Sequence, residues 1–252
     1  MKHFYRLLNY ECSRLLSHVL IIGLGMLVLT VLFIKIELTK YTPYSPHERF
    51  EQLFISSGGP IIFLFCFILL LIVFSQSLRA PFIGGKSIYT FLTLPVKREY
   101  LYFSKLAAFA ICTILLLAVQ FITYMLGYSV MESHISSYSG GSFVMNNGLF
   151  LSIIRSNFMR IIWPFSFLSF INLFSVLSAC LTGLIYASLV FPSKNRWGRI
   201  PVAVLPPFLI RMVAEQWFIA ESSLLLPSLI LLVFSLFFIA HSLWLFKKGA
   251  VA

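Results

Sequence analysis

Apolar positions in this chain run on in long stretches instead of alternating or recurring as narrow stripes. Residues 15–34, 52–78, 106–131, 161–193 and 222–246 are free of charged side chains, and each reaches the ~20 residues a helix needs to cross a hydrocarbon core. A further apolar segment, 200–219, is expected to be broken by Pro206-Pro207 and then carries Arg211 and Glu215. Lipid offers no partner to backbone N–H and C=O groups, so such segments must be helical. The pattern predicts an all-α integral membrane protein, one transmembrane domain over 1–252 with spans at 17–36, 58–78, 104–130, 162–192, 200–219 and 222–246. Ahead of the first span, "KHFYRLLNYECSRLL" winds so that Phe4, Leu7, Leu8, Cys12 and Leu15 share one side and Lys2, Arg6, Asn9 and Ser13 the other. That is the pattern of an amphipathic helix over 2–16 lying in the membrane plane. Glu11 falls inside its apolar face, and a local pair with Arg14 at i+3 is expected to neutralise it.

Composition agrees with this reading. Of 252 residues, 60% are hydrophobic and 11% charged, against about 25% charged in soluble domains. The net charge of +11 would suggest nucleic acid as a partner in a soluble protein. In this chain 13 of the 19 Lys and Arg fall at Lys2, Arg6 and Arg14, in 79–105, in "PSKNRWGR" and at Lys247 and Lys248. These regions alternate with the apolar runs as cytoplasmic segments should, which places both termini inside and makes membrane lipid, not nucleic acid, the partner. The first apolar run reads as a retained span, because it has no small-residue cleavage site at its end. The outer connections "IELTKYTPYSPHERFEQLFISSGG" and "MESHISSYSGGSFVMNNG" read as loops. "LFLSIIRSNFMRIIW" carries Arg155 and Arg160 against the charge rule and is expected to lie along the outer surface.

Several chemistries are mimicked rather than present. "GGKS" at 84–87 ends like a phosphate-binding loop, but Ala80 stands where the first glycine belongs. The chain also has no aspartate to hold magnesium, so neither ATP nor Mg is expected to be bound by it, and no enzyme activity is expected of the chain itself. No HExxH zinc motif occurs, and "SGGS" at 139–142 has only His134 near it. His18 and His241 lie near span ends, where two imidazoles could clamp a haem, and read more simply as interfacial residues. Cys12, Cys66, Cys112 and Cys180 form no CxxC pair and are expected to be free thiols.

The spans do carry polar faces. On the fourth, Asn172, Ser175, Ala179, Thr182, Gly183 and Tyr186 fall within about 100° of arc, and on the third Thr113, Gln120, Tyr124 and Gly127 do likewise. Such faces serve either helix packing or the lining of a pathway, for which Gln120, Tyr124, Asn172, Ser175, Thr182 and Tyr186 are the candidates. Arg211 and Glu215 sit at i, i+4 and can neutralise each other if the segment is helical after the prolines. That intramembrane pair is either structural or a gate.

The segment "SIYTFLTLPVKREYLYFSK" remains, at 87–105. Pro95 can open a helix, and Tyr89, Phe91, Tyr100, Tyr102 and Phe103 are aromatic anchors of the kind that dominate interfaces. Its core, "YTFLTLPVKREYLYFSKLAAF", resembles the "LPVSRREYVLGKLLA"-type segment between the second and third spans of ABC-2 type transporter permeases. The basic amphipathic N-terminus resembles that family's elbow helix, and the six spans, in/in termini and chain size also match. The resemblance implies that Leu94, Pro95, Val96, Lys97, Arg98, Glu99 and Tyr100 form a cytoplasmic coupling helix docked on an ATPase. It implies a half-transporter in the bacterial cytoplasmic membrane, paired with a second permease, identical or similar, and with two copies of a nucleotide-binding subunit that holds ATP and Mg. Small members of this kind export antimicrobial or toxin peptides or confer immunity to them, and others move ions or lipid-linked glycans. An ATP-independent channel or scaffold is the reading of another class.

Overall fold

A computed structural model describes residues 2–40, 49–83, 98–138, 148–191, 199–218 and 225–248. Among them are nine helices: α1 Lys2–Leu38, α2 Phe50–Ser56, α3 Gly59–Ile83, α4 Arg98–Tyr138, α5 Gly148–Arg155, α6 Asn157–Ile162, α7 Phe167–Val190, α8 Arg199–Phe218 and α9 Leu225–Lys248. Five, namely α1, α3, α4, α7 and α9, are long and apolar enough to cross a membrane. The chain is therefore a multi-pass membrane protein. α8 falls outside this set, since Arg211, Glu215 and two prolines lower its hydropathy.

Several elements differ from expectation. The amphipathic stretch and the first span form one helix, α1, whose 37 residues reach about 55 Å at 1.5 Å per residue. No separate elbow stands before the span, and no proline or glycine lies between Lys2 and Gly23 to make a break. α8 runs unbroken through Pro206 and Pro207, although the prolines deprive the carbonyls of Val202 and Ala203 of their usual donors. α7 begins at Phe167 rather than 162, because Pro164 ends the preceding helix and Ser166 caps the new one by accepting from the Ser169 N–H. The connection over 36–59, read as a loop, contains α2, whose Phe50, Leu53 and Phe54 form a buried face. α4 likewise extends to Tyr138.

The chain forms two compact units. The first comprises Met1–Leu16, Leu71–Cys112 and Trp163–Ala252, and the second Ser17–Leu70 and Thr113–Ile162.

In the second unit, α1 and α4 run side by side in the same direction. Gly23 faces Val119, and further along both helices Gly127 faces Ile34. The α1 stripe Val19, Met26, Thr30 and Ile34 is buried, while Leu20, Ile21, Leu24 and Leu32 look outward. Since α1 and α4 are parallel, the chain between them must return, and α3 is the long apolar helix available to do so. α2 and α6 join this unit through aromatic rings. Phe54 meets Tyr124 at 5.0 Å and Phe158 at 5.5 Å, and Phe50 meets Tyr124 at 4.8 Å.

In the first unit, α7 is packed between α8 and α9. Asn172 meets Gln216 and Gly183 faces Leu205, so α8 retraces α7 in the opposite direction, eleven residues for eleven. Asn172 meets Ser228, Gly183 faces Phe238 and Tyr186 meets His241, so α9 runs parallel to α7. A Cβ on Gly183 would lie 2.5 Å from Leu205 Cδ2, and the missing side chain is what lets these two helices approach. α3 and α4 also meet in this unit, with Phe74 and Phe109 stacked at 4.3 Å.

Candidate functional site

Leu94, Pro95, Val96 and Lys97 lie outside the described residues, as do Tyr89 and Phe91. The remainder of the expected coupling segment is the first turn of α4, which begins at Arg98. There Glu99 and Tyr100 are exposed, and Phe103 presents 40% of its surface. Tyr102, expected as an anchor, is buried instead. It packs edge-on to Phe103, and its hydroxyl lies beside Ser242. The helical period explains the split, because Tyr100 and Phe103 share a side and Tyr102 is turned 100° or more away from each.

Just beyond this turn α4 is fastened to α1. Lys105 Nζ donates to Glu11 Oε1 at 2.6 Å, with the Glu11 side chain only 5% exposed and that of Lys105 16%. Glu11 thus makes an ion pair across 94 residues of sequence, a partner that its local spacing, which pointed to Arg14, did not suggest. A buried carboxylate is held in such surroundings only by a partner charge. A turn away, the rings of Phe4 and Tyr100 meet edge to face at 6.4 Å. The helix sides expected for this stretch hold, with Leu15 buried and Arg6, Asn9 and Ser13 exposed.

The polar faces of the spans are turned inward, and most of their groups are spent on packing. Asn172 Nδ2 donates to Gln216 Oε1 at 2.7 Å, and Asn172 Oδ1 accepts from Ser228 Oγ at 3.3 Å. This amide thereby links α7, α8 and α9. Tyr186 Oη lies 2.8 Å from His241 Nδ1, which ties that histidine to α7. Ser175 and Thr182 donate to carbonyls of their own helix, those of Asn172 and Ser178. Tyr124 Oη donates to the Ser152 carbonyl at 3.1 Å and so fixes α5 against α4. Gln120 differs from these five: it is fully buried, and neither atom of its amide has a hydrogen-bond partner among the described residues.

Arg211 Nε donates to Glu215 Oε1 at 2.8 Å, the i, i+4 pair expected of a helix continuing past Pro207. The Arg211 side chain is 78% exposed and that of Glu215 34%, so the pair looks outward from the helices it accompanies. His18 is exposed beside Ser17. All four cysteines are free thiols.

Sequence reasoning missed Lys105, Gln216 and Ser228 as partners. For Gln216 a signal existed. Folding the chain back midway between Val190 and Arg199 sets residue 172 within one position of residue 216. For Lys105 none did, because the partner lies on a helix distant in sequence. Neither a family model nor a curated protein nor a solved structure matches this chain.

Proposed function

We propose that the chain is the membrane-spanning permease subunit of an ATP-driven exporter of the ABC-2 kind, working in the bacterial cytoplasmic membrane as a pair of permeases with two separate nucleotide-binding subunits. The junction of α1 and α4 carries this reading. Glu11 with Lys105, and Phe4 with Tyr100, tie two spanning helices together at the end of the segment 94–100 and just beyond it. A load applied to that segment is therefore shared by both helices. α8 serves as the sixth crossing: it is 20 residues long, retraces α7 residue for residue, and carries its two charges as a pair. Six crossings bring both ends of the chain and the basic segments 79–105 and 194–199 to one side, the cytoplasmic one.

Closure of the ATPase subunits pushes on residues 94–100 and shifts the spans between inward-facing and outward-facing states, which the cargo must contact differently if its transport is to be driven. An amphipathic peptide suits the 27 phenylalanines and the scarcity of charge, and ions or lipid-linked glycans are the other cargo classes. A passive channel fits less well, since Tyr124, Asn172 and Tyr186 bond to neighbouring helices, and Ser175 and Thr182 to their own, instead of lining a conduit.

The test is assembly. The chain purified alone is expected to show no ATPase activity, and the complex isolated from its native membrane to show it. Leu94→Ala with Tyr100→Ala should loosen the ATPase by roughly 30-fold for ~2 kcal/mol of anchor energy, or uncouple hydrolysis from transport. Normal transport by that variant with the ATPase still bound would remove 94–100 as the coupling element. Transport by the chain alone without ATP would establish the channel reading.

A further inference from the structure

We infer that α5 and α6 form an interfacial anchor that binds the phosphate groups of anionic phospholipids through Arg155 and Arg160. Both arginines are exposed, and among the described residues neither makes an ion pair. Glu51 and Glu132 belong to the same unit and do not serve them.

The surroundings specify the partner. One side of the two short helices is fixed to the protein, with Ser152, Ile153, Phe158, Met159 and Ile162 buried. The Tyr124 hydroxyl holds the Ser152 carbonyl, and Phe158 lies against Phe54 and Phe63. The outward side of α5 has an apolar edge and a basic edge. Phe150 and Ile154 are exposed about 40° apart, and Arg155 lies about 100° further round. An apolar edge seats in the acyl boundary, while a guanidinium beside it stands at the depth of the phosphates. Guanidinium matches phosphate geometry with paired N–H donors. On the proposed topology this element joins the third and fourth spans on the outer side, where basic residues are otherwise disfavoured, and an anionic headgroup supplies the charge that the protein withholds. Lipid binding at this element does not depend on the energy source of transport.

The test uses the full chain in phosphatidylcholine vesicles with Trp163 as its only tryptophan, the other three being replaced by phenylalanine. Trp163 is exposed and follows α6 directly, so it reports the lipid at this element. Quenching by dibrominated phosphatidylglycerol is compared with quenching by dibrominated phosphatidylcholine. The anionic lipid should be preferred about fivefold or more, and the preference should shrink in 1 M salt. It should survive in Arg155→Lys/Arg160→Lys and fall to about one in Arg155→Gln/Arg160→Gln. Equal quenching by the two lipids in the parent, a salt-independent preference, or an unchanged preference in the glutamine variant would each overturn the assignment. The salt series on the parent decides the matter even if the glutamine variant does not fold.

Discussion

Where α7 meets α8 and α9, polar side chains are matched to one another; along α1 and α4, Glu11 Oε1 is matched by Lys105 at one end, while Thr30 and Gln120 further along are not. Asn172 joins Gln216 and Ser228, and Tyr186 joins His241. Along α1 and α4, by contrast, Thr30 Oγ1 and both amide atoms of Gln120 are buried without partners among the described residues. Inside lipid, apolar side chains gain little by leaving one solvent for a similar one, so helix association rests on close packing and hydrogen bonds. An unpaired buried polar group costs about 1–3 kcal/mol. The C-terminal three helices therefore have the character of a scaffold, and the α1–α4 contact that of a part whose stability was not the first requirement. If transport moves one set of helices against the rest, α1 and α4 are the set expected to change partners.

The largest expected effect concerns the charge pair. Glu11→Ala leaves the half-buried Lys105 ammonium without its carboxylate, and should cost ~3 kcal/mol, read as a fall in melting temperature of the detergent-solubilised protein. Glu11→Ala/Lys105→Ala should recover most of it. Additive losses in the double variant would mean the two side chains do not support each other, and would remove the one strong tie from the α1–α4 side of the comparison.

Next comes the close approach of α7 and α8. Gly183→Val places side-chain atoms where Leu205 already stands and should cost about 1–3 kcal/mol, whereas Gly25→Ala, whose new Cβ meets nothing within 4 Å, should cost nothing for steric reasons. A melting temperature unchanged by Gly183→Val would show that α7 and α8 do not pack in the antiparallel register that pairs Gly183 with Leu205.

The smallest effects make the sharpest test, because they should differ in sign. Asn172→Leu strands Gln216 and should destabilise by ~1 kcal/mol. Gln120→Leu removes an unmet amide from an apolar setting and should stabilise by a similar amount. If the Gln120 amide is needed in another state of the cycle, the stabilised variant should also transport more slowly. Destabilisation by both substitutions would erase the distinction between the two regions.

Most of the helices could be read from the sequence because a bilayer imposes a length and a ban on charge, and runs such as 106–131 satisfy both with no knowledge of neighbours. The buried faces were legible for a related reason: Asn172, Ser175, Ala179, Thr182, Gly183 and Tyr186 recur at helical spacing, and all six are buried. Partners were not legible. Glu11 has a plausible neighbour in Arg14 at every level of local reasoning, and its ion pair with Lys105 is set by the packing of two helices far apart in sequence. Tyr102 belongs to an aromatic-rich stretch that looks uniformly available, and only the direction of the core separates it from Tyr100 and Phe103. Pro206-Pro207 misled because proline breaks helices in water, where a freed carbonyl finds solvent, while a membrane helix with neighbours tolerates it. For the coupling segment, the resemblance rests on 94–105, and 94–97 of that stretch lie outside the described residues.

The pairing of α8 with α7 has a consequence for biogenesis. Among the described helices of 20 residues or more, α8 alone falls short of the apolarity of the five long spans, and a lone segment bearing Arg211 and Glu215 would enter a bilayer poorly. On the six-span reading its entry is governed less by its own residues than by α7, already in place, which offers Gly183 for close contact and Asn172 for Gln216. The two helices should then leave the insertion machinery as a hairpin. A chain truncated after Phe218 should integrate α8 when α7 is intact and leave it untranslocated, accessible to protease on the cytoplasmic side, when Gly183 and Asn172 are replaced.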